Sequence, residues 1–167
     1  MRRRFGSRGR GRRTKSWLVW LATAVMLAAT LWLTGRPTAR GDAISIEHRW
    51  TICGERRSAA CVIDGDTVAI GKRRIRLTGY DSPELDGACA EESARARDAR
   101  ALLADWLNRG PVMVDGGNNP PRDRYGRELR AARRITPDGE EWLADWMIER
   151  GVAEGDGWIA AHINWCE

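Results

Sequence analysis

The sequence predicts an α+β domain that follows an apolar N-terminal segment. Short β-branched runs separated by glycine turns lie between residues 60 and 80. Helical periodicity extends over residues 91–108, and a second amphipathic segment covers residues 140–150;. With 167 residues, 43% of them hydrophobic and 31% charged, the chain has room for one domain and an additional segment;. This composition excludes a low-complexity chain and a coiled coil as descriptions of the whole protein.

The N-terminal segment has the features of a membrane anchor. Residues 1–16 are strongly basic, and the 17-residue run from Trp17 to Leu33 contains no charged side chain. As a helix this run would be about 26 Å long, so its polar flanks bring it close to the ~30 Å of a hydrocarbon core. Positive residues before a span stay in the cytoplasm, so the rest of the chain is expected outside it. The expected organisation is a basic cytoplasmic head at 1–16, a membrane anchor at 17–35, a linker at 36–43 and a domain at 44–167.

Two other interpretations of this segment stay open. A cleavable signal peptide has an apolar region of about 7–15 residues followed by small residues at the cleavage site. The apolar run here is longer, and Gly41-Asp42-Ala43 matches such a site poorly. Cleavage would yield a secreted domain. The pair Arg12-Arg13 also allows a twin-arginine export route.

The basic charge of the chain is confined to its N-terminal part. The formal net charge is +5, but residues 1–40 hold 10 of the 28 Lys and Arg and none of the 23 Asp and Glu. Residues 41–167 therefore carry 18 basic and 23 acidic side chains, a formal charge of −5. The high isoelectric point is no evidence that the domain binds nucleic acid. Local arginines or a metal ion must hold any anionic substrate.

All four cysteines follow the apolar segment, at Cys53, Cys61, Cys89 and Cys166. An even number in an oxidising compartment favours two disulfides, and four cysteines allow three pairings. We favour Cys53–Cys61, which would close a local loop, together with Cys89–Cys166, which would tie the C-terminal tail to the body. Free packed thiols are the alternative. The spacings lack C-x-x-C, which argues against a zinc site.

The elements of the domain are predicted as three strands, a helix, two strands and a helix. The first three strands are Ala60–Ile63, Thr67–Ile70 and Arg74–Leu77, with turns at Asp64-Gly65 and Gly71-Lys72;. The clearest helix, Glu91–Asn108, has one apolar face and ends before Gly110;. The later elements are a strand at Pro111–Val114, a loop at Asp115–Arg122, a strand at Glu128–Ile135 with Leu129, Ala131 and Ile135 inward, a turn at Pro137-Asp138-Gly139 and a helix at Glu140–Arg150;.

Three short charged segments lie where predicted strands meet turns: Asp64–Thr67, Arg76–Glu84 and Asp123–Arg127. Each one alone has an ordinary explanation, as a hairpin turn, the start of a loop or a solvated strand charge. The first also lacks the D-x-D-x-D-G pattern of an EF-hand. The three together suggest a metal-assisted phosphodiester site, because they combine hard oxygen ligands with arginine forks that suit phosphate oxygens.

The three segments resemble motifs of the staphylococcal nuclease (thermonuclease) family, in order, over about residues 58–153. V-I-D-G-D-T stands at Val62–Thr67, R-L-x-G-x-D-x-P-E at Arg76–Glu84, and D-R-Y-G-R, a form of that family's third motif, at Asp123–Arg127. The resemblance implies an OB-fold, a five-stranded Greek-key barrel with two to three packed helices. It also implies Ca²⁺-dependent hydrolysis of phosphodiester bonds in DNA and RNA.

The resemblance carries roles to individual positions. Asp66 and Asp81 match direct Ca²⁺ ligands, and Glu84 matches a general base that takes a proton from the attacking water. Arg76 and Arg127 match the arginines that stabilise charge on the phosphate in the transition state. The remaining matches are the Ser82 carbonyl as a further Ca²⁺ ligand, Asp64 acting through water, and Arg124 and Tyr125 on a terminal phosphate.

Two alternatives to a nuclease stay open at this point. One is a nucleic-acid-binding module of the same fold without turnover, since OB-folds often only bind. The other is a phosphodiesterase that uses the same site on a different substrate. No protein partner is predicted, and we expect a monomer.

Overall fold

The computed structural model of the protein describes residues 23–26, 42–157 and 162–167. The chain divides into two units, Met1–Thr38 and Ala39–Glu167. In the first unit residues 23–26 are helical. The basic head and the rest of the expected anchor and linker, up to residue 41, lie outside the described residues. Among the described helices, none combines the length and the apolar character needed to cross a membrane.

In the described part of the second unit, short strands and two helices follow one another, which confirms the α+β class. The strands are β1 (Ile44–Ile46), β2 (Trp50–Ile52), β3 (Ala60–Val62), β4 (Thr67–Ile70), β5 (Arg73–Leu77), β6 (Val112–Val114), β7 (Glu128–Arg130), β8 (Ala132–Thr136) and β9 (Gly139–Trp142). The helices are α1 (Ala90–Asn108), after β5, and α2 (Leu143–Glu149), after β9.

The strands pair into two sheets. One is antiparallel throughout, in the order β1-β6-β8-β9. The other has the order β2-β3-β4-β5-β7, in which β3, β4 and β5 form the expected antiparallel meander and β2 and β7 flank it in parallel. Within residues 42–157 the pairings therefore form two sheets, where one five-stranded Greek-key barrel was expected.

The segment Glu128–Ile135, expected as one strand, is two strands in different sheets. β7 ends at Arg130 and β8 begins at Ala132, so the chain crosses from one sheet to the other at Ala131. Such a crossing of one continuous segment is how packed sheets form a corner.

The side chains of this segment also face the opposite way from the prediction. Ile135 was expected inward but is 62% exposed, whereas Glu128 and Arg130 are 2% and 1% exposed. Successive side chains of a strand alternate between its two faces. Here the buried face carries charged side chains that pair with one another, so hydrophobicity alone selected the wrong face.

The second helix starts later than predicted. Residues Gly139–Trp142 form β9, which pairs with β8 as an antiparallel hairpin. α2 therefore begins at Leu143 and not at Glu140. The hairpin uses the turn that the sequence placed at Pro137-Asp138-Gly139, and its second strand continues directly into the helix.

The helices and the sheets share one hydrophobic core. Trp106 of α1 is fully buried and Trp146 of α2 is 7% exposed, so both are anchors of this core. Other buried members include Val62, Val68, Ile75, Leu77, Leu103, Val112, Leu143 and Met147. The prediction for α1 is confirmed to within one residue at its start, with Cys89 as N-cap and Arg109 as C-cap.

Both expected disulfides are present. Cys53 pairs with Cys61 and Cys89 pairs with Cys166. The first joins the residue that follows β2 to the middle residue of β3, its parallel neighbour. The second connects the residue that caps α1 to the C-terminal tail, 77 positions further along the chain.

Candidate phosphodiester site

The turn between β3 and β4 places a buried carboxylate at the centre of the candidate site. Asp66 is 4% exposed and accepts a hydrogen bond of 2.7 Å from the Thr67 hydroxyl. Its own amide donates to Asp64 Oδ1 at 3.2 Å. Burial and then the neighbouring charge of Asp64 raise the pKa of Asp66 to about 7, against the Thr67 hydrogen bond and the charge of Arg76. A buried carboxylate next to a second one favours a cation as partner.

Arg76 of β5 joins the first motif to the second. Its Nη1 lies 3.0 Å from Asp66 Oδ2, and its Nη2 donates to Asp81 Oδ1. The pairing of β4 with β5 sets Thr67 opposite Arg76, which brings the guanidinium to the β3–β4 turn. Asp66, Arg76 and Asp81 therefore form one cluster around the guanidinium, although β4 and β5 lie between the two aspartates in the chain.

Arg127 joins the third motif to the same cluster. The Asp123 carboxylate accepts from the Arg127 amide at 2.9 Å and from its Nε at 2.6 Å. Arg127 Nη1 lies 3.5 Å from the Thr67 hydroxyl, which in turn contacts Asp66. Asp123 thus orients the Arg127 guanidinium through its Nε. The Nη1 of the same guanidinium lies toward Thr67 and, through it, toward Asp66.

Glu84 lies in the loop between β5 and α1, within the electrostatic field of the cluster. Partial burial and then the charges of Asp64 and Asp81 raise the pKa of Glu84. The loop is anchored beside it by Ser82, which is 6% exposed, and by Pro83, which is fully buried. A carboxylate with a raised pKa in such a place has the properties of a proton acceptor for water.

Arg124 and Tyr125 form a separate pair at the outer edge of the site. Arg124 Nη2 donates to the Tyr125 hydroxyl at 2.6 Å, and its guanidinium carbon is 4.7 Å from the centre of the tyrosine ring. Tyr125 is 68% exposed, and its ring also lies 5.6 Å from the guanidinium carbon of Arg127. The pair is therefore adjacent to the cluster and open to solvent.

The donor chemistry of the cluster suits a hard divalent cation. Asp66, Asp81 and Asp64 offer carboxylate oxygens, which are the ligands that Ca²⁺ takes in proteins. In this structure the Arg76 guanidinium lies between Asp66 and Asp81 and balances their charge. A cation held by these carboxylates would compete with Arg76 for their oxygens, which would leave the guanidinium available to a phosphate.

A second group of ligand atoms has the wrong chemistry for a metal. Over the described part of the chain, three His, Cys, Asp or Glu ligand atoms lie within 4.8 Å of one another at Cys89, Glu92 and Cys166. Both sulfurs belong to one disulfide. A cystine has no thiolate, so this group is not a metal centre.

Three residues of the site had no role assigned from sequence. Thr67 connects Arg127 to Asp66, and Asp123 orients Arg127. Glu154 pairs with Asp81 by two backbone hydrogen bonds, at 2.8 and 2.9 Å. The position of Asp123, two residues before Tyr125 and four before Arg127, is typical of an Asx turn and was a usable signal. Glu154 had none, because its pairing joins residues 73 positions apart.

Comparisons with known proteins give limited similarity. No family model matches the chain. The succinoglycan biosynthesis protein ExoI of Rhizobium meliloti (strain 1021) is 35% identical over 104 residues, which are 56% of this chain and 49% of that protein. The chain thus spans about half the length of this curated relative.

Proposed function

We propose that this protein is a Ca²⁺-dependent nuclease of the staphylococcal nuclease type. The observation that carries the proposal is the convergence of the three charged motifs. Arg76 contacts both Asp66 and Asp81, and Thr67 connects Asp66 to Arg127. Metal-assisted phosphodiester hydrolysis requires carboxylates that hold a cation, groups that bind the phosphate and a base that takes a proton from water. The aspartates, the two arginines and Glu84 have the chemistry for these three roles.

The fold proposed with this function is a partly open OB-type barrel formed by the two sheets. The meander β3-β4-β5, the pairing of β5 with β7 and the passage into β8 at Ala131 support it. In such barrels strands pass from one side to the other, and the loops at one end hold the ligand. The β3–β4 turn and the loops after β5 and β6 would form that end here.

The candidate site assigns a step to each side chain. Arg76 and Arg127 bind the oxygens of the scissile phosphate and stabilise the charge that grows on them in the transition state. The Glu84 carboxylate takes a proton from water as the water oxygen bonds to phosphorus. The bond to the leaving oxygen breaks, and that oxygen keeps the electron pair and takes a proton from solvent. Asp66, Asp81, the Ser82 carbonyl and, through water, Asp64 would hold Ca²⁺, which supplies a Lewis acid when bound. Arg124 and Tyr125 bind a terminal phosphate of the substrate.

Cleavage of nucleic acid by the full-length chain in detergent tests the proposal. We expect cleavage of single-stranded DNA and RNA with Ca²⁺ and none with EDTA. Glu84→Gln should lower kcat by about 10²–10⁴-fold, the range typical of a lost general base. Arg127→Ala should lower it by about 10²–10³-fold, whereas Arg74→Ala, an exposed arginine of the same sheet, should change it less than twofold.

The same assay separates the alternatives. Binding of DNA without cleavage by the wild type would contradict the nuclease and favour a binding module. Cleavage of a small phosphodiester without cleavage of DNA or RNA would favour a different substrate. The relative is named for succinoglycan biosynthesis, so the panel of substrates needs diesters that contain no nucleotide.

A further inference from the structure

The loop that carries Glu84 is held at both ends by one other segment of the chain. At its start the Asp81 amide donates to the Glu154 carbonyl at 2.8 Å, and the Glu154 amide donates to the Asp81 carbonyl at 2.9 Å. At its end Cys89 forms the disulfide with Cys166. The residues between these two ties, 82–88, are the loop after the candidate metal ligand. We call residues 154–157 and 162–167 the C-terminal clasp.

The two ends of the clasp are also joined to each other. The buried Glu154 carboxylate accepts from the Ile163 amide through Oε2, and its Oε1 lies 3.0 Å from His162 Nδ1. Glu154 is 8% exposed, whereas the His162 side chain is 83% exposed, so the carboxylate is shielded from water but its partner is not. Glu154 pairs with Asp81 through its backbone and binds His162 and Ile163 through its side chain. The two ties of the clasp are therefore linked to each other through this residue.

Further contacts fix the clasp to the elements on both sides of the loop. The Asp156 carboxylate accepts from the Gly79 amide at 2.8 Å, just before Asp81. On α1, Arg95 Nη2 donates to the Glu167 carbonyl at 3.3 Å. The clasp therefore spans from the end of β5 to the first turns of α1, which are the two attachments of the loop.

Inside the loop the Glu92 side chain adds hydrogen bonds to the packing of Ser82 and Pro83. The Glu92 carboxylate of α1 accepts from the Ala88 amide at 2.7 Å and from the Glu84 amide at 3.4 Å. Glu92 lies one turn from Cys89, so its position depends on the same start of α1 that the disulfide holds. A loop with few backbone hydrogen bonds of its own opens readily unless its ends are restrained.

We propose that the C-terminal clasp is a positioning element of the candidate site, with Glu154 and Cys166 as its positioning residues. It sets the distance between Asp81 and Glu84 by holding both ends of the loop that contains the latter. The proposal rests on the proposed function for its effect on turnover, but the restraint on the loop is independent of any activity.

Double variants of the full-length chain test the clasp. Cys89→Ala with Cys166→Ala opens one end, and Cys53→Ala with Cys61→Ala removes the other disulfide as the matched control. Site-resolved hydrogen exchange should show the Asp81 and Glu154 amides exchanging at least about tenfold faster in the first variant only. Amides in the middle of α1 should keep their rates in both. Equal exchange of Asp81 and Glu154 in wild type and clasp variant would overturn the proposal.

Kinetics separate positioning from general stabilisation. In the clasp variant we expect kcat to fall about tenfold and half-maximal activity to need several-fold more Ca²⁺, while KM for DNA changes less than twofold. Glu154→Ala should act in the same direction, and Glu154→Gln, which still offers an acceptor to Ile163, should restore most of kcat. A proportional loss in both double variants would indicate stabilisation alone and overturn positioning. If the wild type cleaves nothing, the proposed function fails, and the exchange rates still decide the clasp.

Discussion

Glu128 is a buried carboxylate that three arginines contact. It is 2% exposed, and its oxygens lie 2.7 Å from Arg73, 2.8 Å from Arg130 and 3.3 Å from Arg122. Arg130 also donates to the carbonyls of Asp115 and Gly117, and so ties β7 to the loop after β6. A buried charge is tolerated when it is paired and hydrogen-bonded in this way. The network holds the strand that follows Arg127.

We predict a loss of stability in acid that depends on Glu128. The hydrogen bond from Arg73, against burial and together with Arg130, lowers the pKa of Glu128 from 4.5 to about 2. A carboxylate whose pKa is lower in the folded state stabilises the protein above pH 4.5, and this contribution is lost as the pH falls towards 2. The free energy of unfolding should fall by up to about 3 kcal/mol across that range.

Urea unfolding at a series of pH values measures this loss. Glu128→Gln should be less stable than the wild type at neutral pH and should lose less stability between pH 4.5 and 2. Glu149→Gln, at an exposed position of α2, should follow the wild type. Parallel curves for Glu128→Gln and wild type would contradict the assignment.

At the scale of elements, the β3–β4 turn packs directly against the Ser82 loop and α1. A Cβ at Gly65 would lie 2.6 Å from Ser82 Oγ and 2.9 Å from the Ala99 Cβ. The Tyr80 hydroxyl donates to the Gly65 carbonyl at 2.9 Å, which fixes the turn from the other side. The absence of a side chain at Gly65 is therefore what allows the β3–β4 turn to lie against Ser82 and α1.

Gly65→Ala should disturb both stability and the candidate site. The new methyl group must displace Ser82 or α1, and overpacking of this kind costs about 1–3 kcal/mol. Thermal or urea unfolding checks the first effect, and the Ca²⁺ concentration for half-maximal cleavage checks the second. Gly157→Ala is the control, because a Cβ there meets nothing within 4 Å. Equal stability of the two variants would contradict the close packing.

At the scale of the whole molecule, the two disulfides constrain very different lengths of chain. Cys53–Cys61 separates residues by 8 positions, and Cys89–Cys166 by 77. A cross-link stabilises chiefly by restricting the unfolded chain, and more so for a longer loop. Removal of the longer one should cost about 4 kcal/mol and removal of the shorter one about 2–3 kcal/mol. Denaturant unfolding of the two double alanine variants measures the difference, and a larger cost for the shorter loop would contradict this account.

The N-terminal segment calls for a separate test, because most of it lies outside the described residues. If residues 17–35 anchor the protein, it should remain in the membrane fraction after a carbonate wash at its full mass. Disulfide mapping of the same material should recover both linked peptide pairs, as expected outside the cytoplasm. A shortened, soluble form would instead support cleavage.

Local sequence patterns predicted several elements because their signals are local. The apolar face of α1, the meander β3-β4-β5 and the turn at Gly139 each depend on neighbours within a few residues. The short strands β1 and β2 were not predicted, although the equally short β3 and β6 were. The candidate site residues were predicted by their motifs, and whether they act as proposed stays a prediction.

By itself the sequence determined the α+β class, the place of the long helix and the three charged motifs. Only the tertiary structure decided which face of β7 and β8 is buried, because Glu128 and Arg130 become stable inside only with partners from β5 and the loop after β6. It also decided that Arg76 lies between two acids and that the C-terminal clasp holds the Glu84 loop. These arrangements arise from contacts between residues far apart in the chain, and no pattern of neighbouring residues encodes them.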